Sequence, residues 1–452
     1  MNTVELLSPA GTIRNMRYAF AYGADAVYAG QPRYSLRVRN NDFLEENLAT
    51  GIAEAHALGK KFYLASNVLP HNSKIKTFLK DIAPIVAMKP DALIMADPGL
   101  IMLVRENWPE MPVHLSVQSN TMNYASVKFW QQAGITRVIL SRELSLDEVA
   151  EIRQQCPDME LETFVHGALC IAYSGRCLLS GYFNHRDPNQ GTCTNSCRWK
   201  YDLSEAHENE AGDIAAGKLD ISLSALSAAE CGGAARHPLA DRVYLLEEEN
   251  RPGEFLPVME DEHGTYIMNS KDLRAIEHVQ RLIDIGVNSL KIEGRTKSHY
   301  YVARTAQTYR EAIDDALSGK PFNPELLGIL ENLAQRGYTD GFYQRHHTQD
   351  HQNYLRGYSE SNKQLFVGEI TGYDVNSGMA DILVKNKICA GDRLELILPA
   401  GNFDIVVEHM ENEQGVAISE ASGAGWKIRL PLPREGMKEY GLLARYFSRE
   451  SD

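Results

Sequence analysis

Nowhere does this sequence carry the roughly 18 consecutive apolar residues that cross a bilayer. Its opening, MNTVELLSPAG, lacks the basic, apolar and small-residue order of an export leader, so the expected location is cytoplasmic. Positive charge is also in short supply. Against 60 acidic residues stand 46 basic ones, a formal charge of −14. Such a field repels polyanions, and any RNA contact needs a local basic patch that prevails within a screening length of about 8 Å. No G-x-S-x-G, H-E-x-x-H or G-x-x-x-x-G-K-S/T motif occurs, which removes the usual signatures of serine hydrolases, zinc proteases and P-loop nucleotidases. Heptads, tandem repeats and low-complexity tracts are missing as well.

What the chain does have is an uneven distribution of thiols. Four of its seven cysteines, Cys170, Cys177, Cys193 and Cys197, fall within 28 residues. In a secreted mini-protein bunched cysteines mean disulfides; in a cytosolic chain they mean metal ligation or redox chemistry. Seven is odd, and 452 residues with 44% hydrophobic content build a core without covalent staples. Ligation is therefore the better account. The spacing C-x6-C-x15-C-x3-C leaves the metal open: only Cys193 and Cys197 match a zinc knuckle, and four thiolates also suit an iron–sulfur cluster. Cys156, Cys231 and Cys389 are scattered, as ordinary buried thiols are.

Short apolar runs alternate with helical patterns through the first 170 residues. The runs begin at Val4, Ala26, Lys61, Ala92, Pro112, Arg137 and Glu162, and an eighth, VNSLKIEGR, follows the amphipathic stretch DLRAIEHVQRLIDIG. Eight strand–helix units predict a (β/α)8 TIM-like barrel over about residues 1–300, with a long insertion at about 168–270 after the seventh strand. The thiols sit at the start of that insertion. A helical segment and polar linker follow over about 300–364. From 365 to 448 six short strands with Gly or Asn turns predict a small antiparallel β-barrel.

Active sites of such barrels lie at the C-terminal ends of the strands. Ser8, Asn67, Asp97, Gln118, Arg142, Glu143, His166, Glu293 and Arg295 all fall there, some of them as no more than loop anchors. His166, Glu143 and Glu293 are the candidates for proton transfer. Arg142 and Arg295 are candidates to clamp a carboxylate or phosphate. Arg37, Arg39 and Lys297, with Tyr34, Arg33 and Tyr300, are the cations and rings available to an RNA loop.

The motifs ELLSPAG, GADAVYAG, FVHGALC with SGRCLLS, GTCTNSCRW and LKIEGRTKSHYYV together resemble the collagenase-like peptidase family, family U-32. The likeness runs from Glu5 into the C-terminal strands; it is strongest, at YAFAYGADAVYAGQPRYSLRVRNN and RDPNQGTCTN, with members that modify RNA. The Ala- and Ser-rich segment after Lys200 departs from it. The resemblance implies a 4Fe-4S cluster on Cys170, Cys177, Cys193 and Cys197. It also implies oxygen-independent formation of 5-hydroxyuridine at the wobble position of a tRNA anticodon loop, with prephenate as co-substrate. Two other readings stand beside it: the metal-dependent proteolysis for which the family was named, and a non-catalytic module held by zinc.

Overall fold

The computed structural model describes residues 4–31, 33–36, 42–169, 173, 189, 272–331, 333, 338–344, 364–423, 425–433 and 440–447, and the backbone of four strands between 201 and 259. Strands β1 (Glu5–Pro9), β2 (Ala26–Gly30), β3 (Lys61–Ser66), β4 (Ala92–Met95), β5 (Val113–Leu115), β6 (Arg137–Ile139) and β7 (Glu160–Ala168) pair side by side in parallel. Four antiparallel strands follow: β8 (Tyr201–Glu208), β9 (Ile214–Gly217), β10 (Val243–Glu248) and β11 (Phe255–Met259), in the order β11-β10-β8-β9. All four lie within the insertion expected after the seventh strand. After β12 (Asp272–Arg274) comes β13 (Ser289–Ile292), parallel to both β7 and β1, and this pairing closes the ring of eight. The expected TIM-like barrel is present, with all eight runs as its staves. The four clustered cysteines and Cys231 lie outside the described residues.

Local chemistry explains why the units start and stop where they do. Between the strands run α1 (Ile13–Ala21), α2 (Glu45–Ala57), α3 (Asn72–Ala87), α4 (Pro98–Asn107), α5 (Tyr124–Gln132), α6 (Leu146–Gln155), α7 (Val279–Ile285) and, past β13, α8 (His299–Leu317). Thr12, Asp97, Asn123 and Ser298 cap α1, α4, α5 and α8 by accepting from otherwise unsatisfied amides, and Ser145 with Glu148 forms a full capping box on α6. Gly286 ends α7 at φ 91°, a conformation that penalises a side chain. β2, β4 and β13 are buried along their whole length, as parallel strands covered on both faces must be.

One irregularity decides the orientation of a candidate residue. Along the β7–β13 pair Phe164 lies opposite Lys291, but Ile292 lies opposite His166, so β7 carries an extra residue at this point. A slip of one residue sends the following side chain to the other face of the sheet. Beyond the bulge β7 runs past the ring and pairs antiparallel with β12, which is in turn flanked by β14 (Tyr338–Thr339).

The helix α9 (Glu325–Glu331) packs Leu326 and Leu330 on the barrel core. The C-terminal domain is built from β15 (Gln364–Asp374), β16 (Met379–Val384), β17 (Ile388–Cys389), β18 (Arg393–Leu398), β19 (Gly401–Val406), β20 (Glu411–Asn412), β21 (Glu420–Ala421), β22 (Lys427–Pro431) and β23 (Leu442–Tyr446). All pairings are antiparallel. Seven strands follow the order β19-β18-β23-β15-β16-β22-β20, and β17 pairs with β21. The domain is held on α1 and α8. Tyr300 stacks on Phe366 with centroids 4.6 Å apart, Tyr22 donates to the carbonyls of Ile397 and Tyr440, and Arg304 meets Glu395 through two bonds of 3.0 and 2.9 Å.

Candidate active site

The strand ends of the barrel surround a cavity of about 560 Å3, counted to its open mouth. Its wall is part aromatic and aliphatic, with Tyr28, Phe164, Ile94 and Ile139, and part polar, with Asn67, Ser116 and Gln118. Among the described residues four charged side chains line it: Arg142, Lys291, Glu293 and Arg295. Three cations against one carboxylate make the cavity a place for an anion.

Each charge is positioned by its strand. Arg142, just past β6, holds its guanidinium carbon 3.8 Å from the centre of the Phe164 ring, donates to the Ala168 carbonyl at 2.6 Å and pairs with Glu293 at 3.2 Å. Glu293, just past β13, is placed by its own backbone: its amide donates to the His166 carbonyl, and its carbonyl accepts from the Tyr301 hydroxyl. Gly167 is required beside it, since at φ 104° a Cβ there would lie 2.5 Å from the Glu293 carbonyl oxygen. Arg295 is nearly buried and reaches across to Ser35 Oγ at 2.9 Å and to the Leu36 carbonyl. It therefore ties the segment after β2 to the cavity wall, and Gly30 leaves the room for its guanidinium.

Beneath the cavity the barrel interior holds a charged network that the sequence reading missed. Lys291 donates to Glu162 at 2.7 Å, and Glu162 also meets Arg137 at 3.2 Å. Arg137 in turn bonds Glu5 at 2.6 Å and Glu160 at 2.8 Å, while Tyr63 and Ser289 donate to Glu5. Burial pushes the Lys291 amine below the ordinary lysine range, with Glu162 pulling the other way. For Glu5, Arg137 and the hydrogen bonds outweigh burial and hold the carboxyl below its usual value. The available signal was a charge inside an otherwise apolar strand, as in RVIL, ETFV and LKIE.

The remaining sequence candidates divide sharply. His166 is not in the cavity. The bulge turns it to the outer face of the barrel, where it is 1% exposed among Tyr301, Tyr309 and Tyr338 and contacts the last two hydroxyls at 3.4 and 3.2 Å. Burial lowers its pKa to about 3, with Arg274 and Lys297 acting in the same sense, so this imidazole is neutral. Glu143, half-buried one residue past Arg142, and Lys297, whose ammonium lies 5.3 Å over Tyr301, do not line the cavity either. Asp97 caps α4. Tyr34 is fully buried and bonded to Asp81, which also pairs with Arg33, and Tyr300 is an interdomain stack; neither ring is open to a base. Arg37 and Arg39 lie outside the described residues, as do the four clustered cysteines. β7 ends at Ala168, whose carbonyl Arg142 holds, and Cys170 follows two residues later in the sequence. Among the described residues one group with metal-ligating atoms converges, Glu277, His278 and Asp340 within 4.8 Å, on the β12–β14 side and apart from the cavity lining.

Comparison with known proteins fits this architecture. The model for peptidase family U32 matches residues 11–353, and that for the U32 C-terminal domain matches residues 362–444. The chain is 63% identical to tRNA hydroxylation protein P of Escherichia coli over 99% of its length and 98% of that protein's. It is 59% identical to tRNA hydroxylation protein P of Haemophilus influenzae, covering 98% of this chain and 96% of that one. An uncharacterized protease of Methanocaldococcus jannaschii is 33% identical over 97% of this chain and 98% of its own. With both of its domains matched and near-complete relatives at this level of identity, the chain belongs to peptidase family U32.

Proposed function

We propose that this protein is a tRNA hydroxylase that installs 5-hydroxyuridine at the wobble position. The observation that carries the reading is the cationic cavity at the mouth of the barrel, beside the end of the strand that precedes Cys170 in sequence, in a chain so close to proteins named for tRNA hydroxylation. C5 of a uridine is reachable only when the base leaves its stack, and an unpaired anticodon base is the kind of base that can be presented to the open mouth of this cavity. Prephenate, a dicarboxylate, suits walls that carry Arg142, Lys291 and Arg295. Four soft thiol donors on one segment fit an iron–sulfur cluster, held by Cys170, Cys177, Cys193 and Cys197, which would supply one-electron transfer in a hydroxylation that needs no oxygen.

Within the cavity, Glu293 is the carboxylate placed to take or return a proton, and Arg142, bonded to it, holds its position. Among the described residues no histidine lines the cavity and no serine–histidine pair is formed there, so these residues do not support the peptidase name with a nucleophile and its base.

The test is mass spectrometry of tRNA nucleosides from cells with and without the gene. Loss of 5-hydroxyuridine on deletion, restored by the wild-type chain, supports the reading; unchanged modification overturns it. The cluster has its own assay. Each of the four Cys→Ser changes should remove iron, sulfide and colour from anaerobically purified protein, whereas the same change at Cys156, buried in the barrel core, should leave them.

A further inference from the structure

We propose that Lys291 binds a 2-oxo acid covalently, as an imine formed inside the barrel cavity. The inference rests on the reading of that cavity as the seat of a carboxylate co-substrate, and adds what the amine does there.

The geometry is that of an amine held for condensation. Lys291 is 2% exposed yet lines the cavity, with its ammonium 4.3 Å from the centre of the Tyr28 ring and 5.4 Å from that of Phe164. Removal from water disfavours the charged form, against the pull of Glu162 and the ring faces, and the amine is correspondingly easier to deprotonate than a surface lysine. Glu162 has a second cation, Arg137 at 3.2 Å, which it shares with Glu5 and Glu160. Arg142 and Arg295 line the same space and can meet a carboxylate while the adjacent carbonyl faces Lys291.

The chemistry balances without an oxidant. Glu162, 2.7 Å from Nζ, accepts the proton that leaves the ammonium. The free amine pair then attacks the carbonyl carbon, and the carbonyl π pair moves to oxygen. The resulting hydroxyl leaves as water, which takes with it the two hydrogens that the neutral amine carried. Return of the Glu162 proton gives an iminium that keeps its ion pair with that carboxylate.

Pyruvate is the probe. Full-length protein is incubated with pyruvate and cyanoborohydride, and the reduced adducts are mapped by peptide mass spectrometry. We expect a saturable adduct on Lys291, suppressed by excess lactate, which has the carboxylate but no carbonyl, and reduced at least tenfold in Arg142→Ala. Lys291→Arg, which retains a cation opposite Glu162, should lose it. Labelling of exposed lysines such as Lys76 and Lys80 with Lys291 unmodified would overturn the imine, and that map needs no variant to fold. Lactate separates the two layers of the argument. If Lys291 is unmodified but lactate raises the melting temperature of the wild type and not of Arg142→Ala, the carboxylate site stands and only the imine falls; if lactate also has no effect, the reading of the cavity falls with it.

Discussion

The two domains of this protein put opposite things in their interiors. The core of the C-terminal domain is aliphatic, built from residues such as Val367, Ile382, Leu394, Leu396, Leu430 and Leu443. Its buried carboxylates among the described residues, Glu369 and Glu395, both face the barrel, where they meet Arg14, His299 and Arg304. The barrel instead buries Glu162, Arg137, Lys291 and His114 inside its ring or at its mouth. Burying charge is expensive, and replacing such pairs by apolar residues often leaves stability unchanged or raised. A charged interior is therefore poor evidence for stability and better evidence for a site. The C-terminal domain spends its polarity on docking, and the barrel on chemistry.

That contrast is open to test, beginning where the effect should be largest. Arg137→Leu removes a partner of the buried Glu162 and of the partly buried Glu5 and should cost about 3–5 kcal/mol in urea denaturation. A cost below about 1 kcal/mol would mean that the network is relaxed by water, and the contrast would lose its energetic side.

At the junction, Arg304→Met leaves Glu395 with only its donors from Gln364, at 2.7 Å, and Asn402, at 2.9 Å. We expect a loss of about 2–3 kcal/mol. Calorimetry should then resolve the two domains as separate transitions. A single unchanged transition would show that the aromatic contacts alone couple them.

Acid should act chiefly on the barrel. His166 has a native pKa of about 3, against an unfolded value of about 6.5, so between these limits the unfolded chain binds a proton that the native one does not. Stability is fully present above about pH 6.5 and declines as pH falls towards 3. His114, lowered by burial, and His299, lowered by burial to about 4, act with the same sign. From pH 7.5 to 5 the His166 contribution is about 2 kcal/mol. His166→Gln should shrink the difference between denaturation midpoints at the two pH values by about that much, and an unaltered difference would remove His166 from the account.

The smallest effect belongs to the aliphatic core. Leu396→Met conserves volume and should cost about 1 kcal/mol by denaturation, with hydroxylation of tRNA unchanged. If it abolished activity at normal stability, the C-terminal domain would be more than a docked module.

Much of this was legible in one dimension. Strand runs, Gly-terminated helices and Ser, Thr or Asp caps are local signals, because capping and left-handed turns depend on neighbours a few residues away. They located all eight staves and placed Arg142, Glu293 and Arg295 at one mouth, since in a parallel barrel the C-terminal end of every strand faces the same way. Other features were invisible. Strands as short as β12 and β14 have no pattern of their own and exist because β7 overruns the ring and offers them an edge.

What the sequence determined by itself, then, is the barrel, the antiparallel domain that follows it, the clustering of four thiols within 28 residues and the family to which these motifs belong. Tertiary structure alone decided which charges face inward. Alternation along ETFVHG points residues 162, 164 and 166 to one side, but one extra residue opposite Lys291 and Ile292 keeps Glu162 and Phe164 inside and turns His166 out among tyrosines. The same register brings Lys291 to the cavity floor against Glu162, a pairing across 129 positions of sequence. Side-chain direction in a strand changes sign with every residue, so a single bulge set by the neighbouring strand decides what local pattern cannot.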